Sequence, residues 1–414
     1  MWILEDRELG GVVLQTLAAA GAIGLLIVVL VLWWYIEEGA HSGSCTSGIT
    51  LAKGLSPTAS IVSKQQNGFS ALDSTSQWEG SMSKPAGRSS PDPDYVLRGH
   101  QAEVQALLFH PTQDVLLSGD SEGFLTVWDL SQRRPTLRQR LHTANAGVLS
   151  LAWVSETTVL SQGRDGNVKF WQLDASLASV KQKETQIVTG AFSFCRCATA
   201  PVQDPDLKHE KILAIAGSNP ANIELFIISE QGGSKWKELK QPQDAKHGMC
   251  MAVALFRQPG HDALYATVGY EDGMLSVWDT ARPDQALMSA RLHSEPIMAL
   301  AIEPQGAGGI SGSADDYIAK FSADIQAREL KEVGRMSLAV PGVAAAAIRS
   351  DSRILATAGW DKQVRVFHYS KGKPLAVLQY HKAGVNDVVF DARTHVLASA
   401  SKDGSIALWS VYLD

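Results

Sequence analysis

The chain has 414 residues, of which 45% are hydrophobic and 19% are charged, and its formal net charge is −6. This composition excludes a chain that is disordered throughout. The acidic balance argues against direct nucleic-acid binding, which needs a strongly basic surface. The cysteines form no framework of paired spacings; they are Cys45, Cys195, Cys197 and Cys250. We therefore expect free thiols in a reducing compartment, with no metal site and no cofactor.

The first segment, residues 1–39, is predicted to be a transmembrane helix of the signal-anchor type. Its apolar run extends from Val12 to Ile36 and is long enough to cross a hydrocarbon core of ~30 Å. Trp33 and Trp34 suit the lipid headgroup level, and the acidic leading segment disfavours a cleaved signal peptide. We expect the rest of the chain to face the cytosol. The alternative is an extension absent from the mature protein, which would leave a soluble protein of the cytoplasm or nucleus.

Residues 40–93 are predicted to be a disordered linker. Ser, Gly, Thr and Pro dominate this segment, and Phe69 and Trp78 are its aromatic residues. Such a composition buries too little apolar area to offset the entropy of an ordered backbone.

From residue 94 to residue 414 the chain repeats a unit with a period in the forties. In the last unit, apolar and polar residues alternate from Val385 to Phe390, and a tight turn follows at residues 402–404. An aromatic residue closes the third strand of each unit: Trp128, Trp171, Phe226, Trp278, Phe321, Phe367 and Trp409. Four short strands every ~40–45 residues are typical of propeller blades. We predict an all-β, seven-bladed β-propeller.

A polar pattern accompanies these aromatic residues. An acidic turn residue precedes six of them by six positions: Glu122, Asp165, Asp272, Asp315, Asp361 and Asp403. A Ser or Thr lies four positions before most of these acids, and a His lies between most units, although the sixth unit has Pro341–Gly342 instead. We expect hydrogen-bonded chains that satisfy buried polar groups. Their predicted members are His142, Ser161, Asp165, Trp171, His293, Ser311, Asp315, His381, Ser399, Asp403 and Trp409. Recurrence indicates a structural role rather than seven catalytic dyads.

The two ends of the repeat domain are expected to pair. The last unit stops after three strands, and Tyr95–Arg98 at the start of the domain can supply the fourth. A closed ring removes the free sheet edges that invite aggregation. Insertions are predicted at Lys181–His209 and Ser229–His247, where the repeat is irregular.

Several strings resemble one group of proteins. They include PDPDYVLRGH at 91–100, GYEDG at 269–273, IRSDSRILATAGWDKQVRVF at 348–367 and SKDGSIALWSVY at 401–412. Residues 91–414 thus resemble the WD-repeat proteins called G-protein-β-subunit-like, ASTRA-associated and, in plants, "decreased size exclusion limit". The resemblance implies a scaffold that associates with HEAT-repeat factors maturing phosphatidylinositol-3-kinase-related kinases, linked to chromatin and telomeres. For the plant counterparts it implies roles in development and plasmodesmal transport.

A protein partner is expected to bind where the turn acids open on one face of the ring. The residues predicted to contact it are Trp360, Arg164, Tyr270, Glu271, Lys402 and Ser121. Trp360 is the strongest candidate, because an exposed Trp beside charged residues is typical of an interface hot spot. The alternative is that its ring lies flat and fills the space of the missing His. The propeller is expected to be monomeric.

Other functions fit the residues less well. The chain contains no phosphate-binding loop, nucleophile elbow or zinc-protease motif, so we expect no enzyme. A substrate receptor of a cullin-type ubiquitin ligase is the main alternative, but Arg282 lies one position too late for the Trp-Asp-x-Arg box that begins at Trp278. The basic run Arg133, Arg134, Arg138 and Arg140 is interpreted as a solvated outer strand, with anionic lipid or an acidic partner as alternatives.

Overall fold

The computed structural model describes residues 80–81 and 90–412, apart from residues 145, 175, 178, 191, 204–209, 243–244 and 260–261. All described residues belong to the unit Ala71–Asp414. The predicted anchor at 1–39 lies outside the described residues, as does the predicted linker except at 80–81 and 90–93. In the described part of the chain, no helix is long and apolar enough to span a bilayer.

The described residues form 29 β-strands grouped in seven sheets, which we call blades one to seven. Two strands precede blade one: β1 (Gly80–Ser81) and β2 (Tyr95–Arg98). Blade one has β3 (Val104–Phe109), β4 (Val115–Asp120), β5 (Phe124–Asp129) and β6 (Arg134–Arg140). Blade two has β7 (Ser150–Trp153), β8 (Thr158–Gln162), β9 (Asn167–Leu173) and β10 (Val180–Val188). Blade three has β11 (Ala198–Pro201), β12 (Lys211–Ala216), β13 (Ile223–Ser229) and β14 (Gly232–Leu239).

The remaining blades follow the same order. Blade four has β15 (Cys250–Phe256), β16 (Tyr265–Tyr270), β17 (Met274–Asp279) and β18 (Met288–Arg291). Blade five has β19 (Ile297–Ile302), β20 (Gly308–Ser313), β21 (Tyr317–Asp324) and β22 (Glu329–Ser337). Blade six has β23 (Val343–Ile348), β24 (Ile354–Gly359), β25 (Val364–His368) and β26 (Lys373–Leu378). Blade seven has β27 (Val385–Phe390), β28 (Leu397–Ser401) and β29 (Ser405–Trp409).

The ring closes as predicted. Strand β2 pairs antiparallel with β29 and supplies the outer strand of blade seven, with Tyr95 opposite Leu408 and Arg98 opposite Ser405. The first strand of blade seven, β27, also packs against the first strand of blade one, β3. The predicted seven-bladed propeller is therefore confirmed.

The core lies between the blades. The seven aromatic residues all lie inside third strands and none is more than 6% exposed. Trp128, for example, packs with Leu97 of β2 and Ile406 of β29. Apolar residues from neighbouring blades interdigitate here, so each blade covers the face of the next.

The predicted insertions need correction. Lys181–Val188 belongs to the outer strand β10 of blade two, and Gly232–Leu239 forms the outer strand β14 of blade three. These outer strands carry many polar residues, because one side faces solvent, and their apolar alternation is therefore weak in the sequence. Blade five has a fifth strand, since β1 pairs in parallel with β22.

The direction of the strands places all the acidic turns on one face. The four main strands of each blade are antiparallel to their neighbours, whereas the added strand β1 of blade five is parallel to β22. The turn between the second and third strands therefore lies at the same end as the connection to the next blade. We call the surface formed by these turns and connections the docking face.

Candidate protein-docking face

In six of the seven blades, a backbone hydrogen bond ties the turn between the second and third strands to the connection that precedes the blade. The amide of the residue before the turn acid donates to a carbonyl of that connection. The six pairs are Ser121 to Glu103 (2.9 Å), Arg164 to Ala146 (2.9 Å), Glu271 to Met249 (3.0 Å), Ala314 to Pro296 (3.1 Å), Trp360 to Gly342 (3.1 Å) and Lys402 to Gly384 (3.0 Å). The backbone of the docking face is thus held rigidly at equivalent points around the ring.

Blade one contains a complete polar chain, in which the acid is Asp120 rather than the turn acid Glu122. His100 Nε2 lies 2.6 Å from Ser118 Oγ, and the indole of Trp128 donates to the same oxygen at 2.7 Å. His100 Nδ1 lies 2.8 Å from Asp120, whose other oxygen accepts the amide of Glu122. Asp120 is fully buried beside the imidazole, whereas the turn acid Glu122 is exposed.

Blade seven builds the chain with an added hydroxyl. His381 Nε2 lies 2.8 Å from Ser399 Oγ, and Trp409 donates to that oxygen at 3.0 Å. His381 Nδ1 lies 3.0 Å from Ser405 Oγ, and this hydroxyl donates to Asp403 at 2.5 Å. Several hydrogen bonds to its charged form keep the pKa of Asp403 below its usual range, although burial opposes them.

Blades two and five hold two variants of the chain. In blade two, His142 Nε2 and the indole of Trp171 both lie 2.8 Å from Ser161 Oγ, whereas Asp165 stands 3.8 Å from His142 Nδ1. Burial lowers the pKa of His142 to about 4. In blade five, His293 bridges Ser311 at 2.8 Å and Asp315 at 2.9 Å, and Phe321 offers no indole donor.

Blade four uses a histidine that the repeat pattern did not identify. His247 Nδ1 lies 3.0 Å from Asp272, which also accepts a hydrogen bond from Arg291 at 2.9 Å. The sequence signal was His247 directly before Gly248, hidden by the irregular spacing of this connection. Val268 stands where blades one, two, five and seven have Ser, and the indole of Trp278 lies beside the Tyr270 side chain instead.

In blade six an arginine takes the place of the missing histidine. Arg365 forms a bidentate ion pair with Asp361, at 3.0 and 2.5 Å, and both side chains are less than 10% exposed. A Cβ built at Gly359 would lie 2.9 Å from the Arg365 guanidinium, just as a Cβ at Gly163 in blade two would lie 2.5 Å from the imidazole of His142. The guanidinium therefore occupies the position of the imidazole.

Trp360 is exposed, although one side of its ring is supported. Its indole covers the backbone of Gly342, where a Cβ would lie 2.2 Å from the ring and where φ is +103°. Trp360 is 43% exposed. Val340, which lies with Gly342 in the connection between blades five and six, is 48% exposed. The alternative role for Trp360, filling the space of the missing His, is wrong because Arg365 fills it.

The other predicted contact residues divide by burial. Lys402 is exposed and lies near Trp360, since both approach Gly384 from neighbouring turns. Ser121 and Glu271 are half-buried, and Glu271 accepts the amide of Met249 at 3.2 Å. Tyr270 is 1% exposed, so its predicted contact with a partner is wrong. Tyr270 corresponds in the repeat to Gly163 of blade two. Its side chain packs inward, in the cluster that contains Cys250.

Arg164 belongs to a second part of the docking face, on blade two. Its guanidinium lies 5.4 Å from the ring centre of Phe194, and burial lowers its pKa. Phe192 packs edge-on against Phe194 and is 66% exposed. This aromatic pair had no signal in the repeat pattern, because it lies in the connection between blades two and three.

Arg196 joins three blades. From the connection before blade three, it reaches Asp387 of blade seven at 2.6 Å and the carbonyl of Gln105 in blade one at 2.8 Å. Asp387 also accepts the amide of Leu107 at 2.8 Å. Burial raises the pKa of Asp387, and the contact with Arg196 opposes that rise. The Arg196 guanidinium therefore connects blade three to blades one and seven.

The described cysteines are buried or half-buried free thiols. Burial raises the pKa of Cys195, and that of Cys197 to about 11. They are thus held as inert thiols. Among the described residues, no cluster of His, Cys, Asp and Glu has the geometry of a metal site.

Comparison with known proteins agrees with this architecture. The family model "WD domain, G-beta repeat" matches residues 91–129, 338–368 and 372–410. The chain is 34% identical to "Guanine nucleotide-binding protein subunit beta-like protein 1" of Mus musculus, over 78% of this chain and 97% of that protein.

Two fungal relatives extend the comparison. The chain is 27% identical to "ASTRA-associated protein 1" of Verticillium alfalfae, over 78% of this chain and 93% of that protein. It is 28% identical to the protein of the same name from Schizosaccharomyces pombe, over 78% of this chain and 99% of that protein. The chain therefore belongs to the WD-repeat family of G-protein-β-subunit-like and ASTRA-associated proteins.

Proposed function

We propose that this protein is a non-enzymatic scaffold that captures a protein partner on the docking face around Trp360. The supporting observation is that Trp360 is 43% exposed while its ring rests on the Gly342 backbone. A supported aromatic ring loses little conformational entropy on binding, so its apolar area contributes fully to affinity. Val340 adds apolar area and Lys402 adds a charge at the rim.

The proposed partner follows from the family. The fungal relatives are named as ASTRA-associated, and the resemblance of residues 91–414 implies HEAT-repeat factors that assemble phosphatidylinositol-3-kinase-related kinases. We propose that this chain binds a factor of that class. The roles in plant development and plasmodesmal transport, and the ubiquitin-ligase receptor, remain predictions with weaker support.

Quantitative affinity purification with mass spectrometry tests this proposal. Tagged full-length protein, Trp360→Ala and Trp236→Ala would be compared, because Trp236 is 39% exposed on the outer strand of blade three and so serves as a matched control. We expect Trp360→Ala to weaken capture of HEAT-repeat proteins by roughly tenfold or more. Its melting temperature should stay within about 2 °C of wild type, since an exposed side chain is removed.

Two outcomes would refute the proposal. One is equal recovery of HEAT-repeat proteins with Trp360→Ala and wild type. The other is a large loss of stability in Trp360→Ala, which would give the indole a structural role. Recovery of a cullin-ligase adaptor in place of HEAT-repeat proteins would instead support the substrate-receptor alternative.

The cellular location is a further part of the proposal. We propose that residues 12–36 anchor the protein in a membrane with the propeller in the cytosol, on the apolar character of that segment alone. Fractionation of cells expressing the full chain or a chain lacking residues 1–39 tests it. Recovery of the full chain in the soluble fraction would contradict the anchor.

A further inference from the structure

The outer strand of blade one is unusually basic. Strand β6 carries Arg134, Arg138 and Arg140 among its seven residues, and Arg133 directly precedes it. All four side chains are exposed, and none forms an ion pair with a carboxylate among the described residues. By contrast, on β22 of blade five Lys331 pairs with Glu329 and Arg335 pairs with Glu332. A row of unpaired arginines stands out on a chain whose net charge is −6.

Two of these arginines are held in place by one aromatic ring. The guanidinium carbons of Arg138 and Arg140 lie 4.1 and 4.3 Å from the ring centre of Phe124 in β5. Residues two apart on a strand point to the same side, so both cations face the same way. Arg140 also donates to the carbonyl of Glu122 at 2.8 Å. Stacking on the ring restrains both side chains before any ligand arrives.

The edge of the strand is also free. The sheet order of blade one ends at β6, and no described strand pairs with its outer side. An extended segment of another protein can therefore lie along β6, and its carboxylates can accept paired hydrogen bonds from the guanidinium groups.

We infer that the outer edge of blade one binds an acidic, extended segment of a protein partner. Charge complementarity selects this occupant, since carboxylates match the geometry of arginine forks. A second copy of the chain would bring arginines against arginines, so the edge disfavours self-association. A membrane is disfavoured because none of the exposed large apolar side chains of the described residues lies on β6. This site is separate from the docking face and does not depend on it.

The test uses a fluorescein-labelled twelve-residue peptide of alternating Glu and Thr, with a Lys–Thr peptide as its matched control. Full-length wild type should bind the Glu peptide and not the Lys peptide in fluorescence anisotropy, and affinity should fall as salt rises. Arg138→Glu/Arg140→Glu should weaken binding by about tenfold or more, because two attractive pairs on the same side of the strand become repulsive. Arg282→Glu/Arg328→Glu changes the net charge equally at exposed sites on other blades and should leave binding unchanged.

A second variant tests the role of the ring. Phe124→Leu keeps every arginine but removes the stacking, and we expect binding about threefold weaker with an unchanged melting temperature. Trp360→Ala should bind the Glu peptide like wild type, which separates this site from the docking face.

Several results would overturn the inference. One is equal peptide binding by wild type and Arg138→Glu/Arg140→Glu. Another is an equal loss of binding in Arg282→Glu/Arg328→Glu, which would indicate a general charge effect. Sedimentation with phosphatidylserine–phosphatidylcholine vesicles is the third measurement. Loss of vesicle binding in Arg138→Glu/Arg140→Glu, with peptide binding intact, would assign the edge to a membrane instead.

Discussion

At the scale of single residues, neighbours decide the role of a side chain more than its type does. Tyr270 ends strand β16 and Trp360 lies in the turn after β24, yet Tyr270 is 1% exposed and Trp360 is 43% exposed. Gly342 gives the indole a flat support on the surface, whereas Tyr270 turns into the cluster around Cys250. The position of a residue in the repeat predicts its backbone conformation, whereas the surrounding side chains determine how exposed its own side chain is.

The same principle predicts a pH dependence at His142. Its imidazole is buried, and burial lowers its pKa from 6.5 to about 4. Since the unfolded chain binds a proton near pH 6.5 and the folded one only near pH 4, stability is present above pH 6.5 and is lost as the pH falls through this window. We expect His142 to contribute a loss of about 3 kcal/mol between these limits.

Urea unfolding of wild type and His142→Asn at several pH values measures this contribution. The other histidines are the same in both proteins. The difference in how their free energies of unfolding change with pH is therefore due to His142. Between pH 6.5 and 4, the free energy of unfolding should fall more steeply with decreasing pH in wild type than in His142→Asn. Parallel curves throughout that range would show that the imidazole is not held neutral by burial.

At the scale of one blade, different residues perform the same structural task. Blade one uses His100 with Asp120, blade four uses His247 with Asp272, and blade six uses Arg365 with Asp361. Each solution pairs a buried or half-buried acid with a nitrogen donor between the second-to-third-strand turn and the core. The histidine and the acid of a blade can therefore be replaced by other residues, provided that no buried charge is left without a partner.

Blade six offers a direct test of this requirement. Arg365→Leu leaves the Asp361 carboxylate buried without its cation, and we expect a loss of about 3 kcal/mol in the free energy of unfolding. Arg365→Leu/Asp361→Asn removes the charge as well and should recover most of that loss. Chemical denaturation of wild type and the two variants provides the comparison. Equal stability of the single and double variants would show that the pair is not electrostatically coupled.

At the scale of the whole molecule, two features make the ring continuous. Strand β2 completes blade seven by pairing with β29, and Arg196 connects the start of blade three to Asp387 and to the carbonyl of Gln105. Both join residues that are far apart in the chain. Loss of either should affect cooperativity throughout the propeller rather than one blade.

Leu97 in β2 allows ring closure to be tested in the full-length chain. Leu97 is 1% exposed and packs with Trp128 and Ile406, so Leu97→Asp buries an unpaired charge at the closing strand. We expect a loss of about 4 kcal/mol or more. Arg98→Asp changes the adjacent, exposed residue of the same strand and should cost less than about 1 kcal/mol.

Intrinsic tryptophan fluorescence and far-ultraviolet circular dichroism during urea unfolding distinguish a global effect from a local one. Coincident shifts of both signals would indicate that closure stabilises the entire ring. A stability of Leu97→Asp close to that of Arg98→Asp would contradict closure by β2.

The sequence by itself determined the number of blades, the strand that closes the ring and the buried aromatic position of each blade. These depend on alternation, turn residues and a repeat period, which are local properties of the chain. Only the tertiary structure decided that Arg365 replaces a histidine, that His247 and Asp120 serve the polar chains, that Tyr270 is buried, and that Arg138 and Arg140 share the ring of Phe124. The reason is physical: burial and pairing depend on side chains brought together from different strands and blades, and no local pattern records those distances.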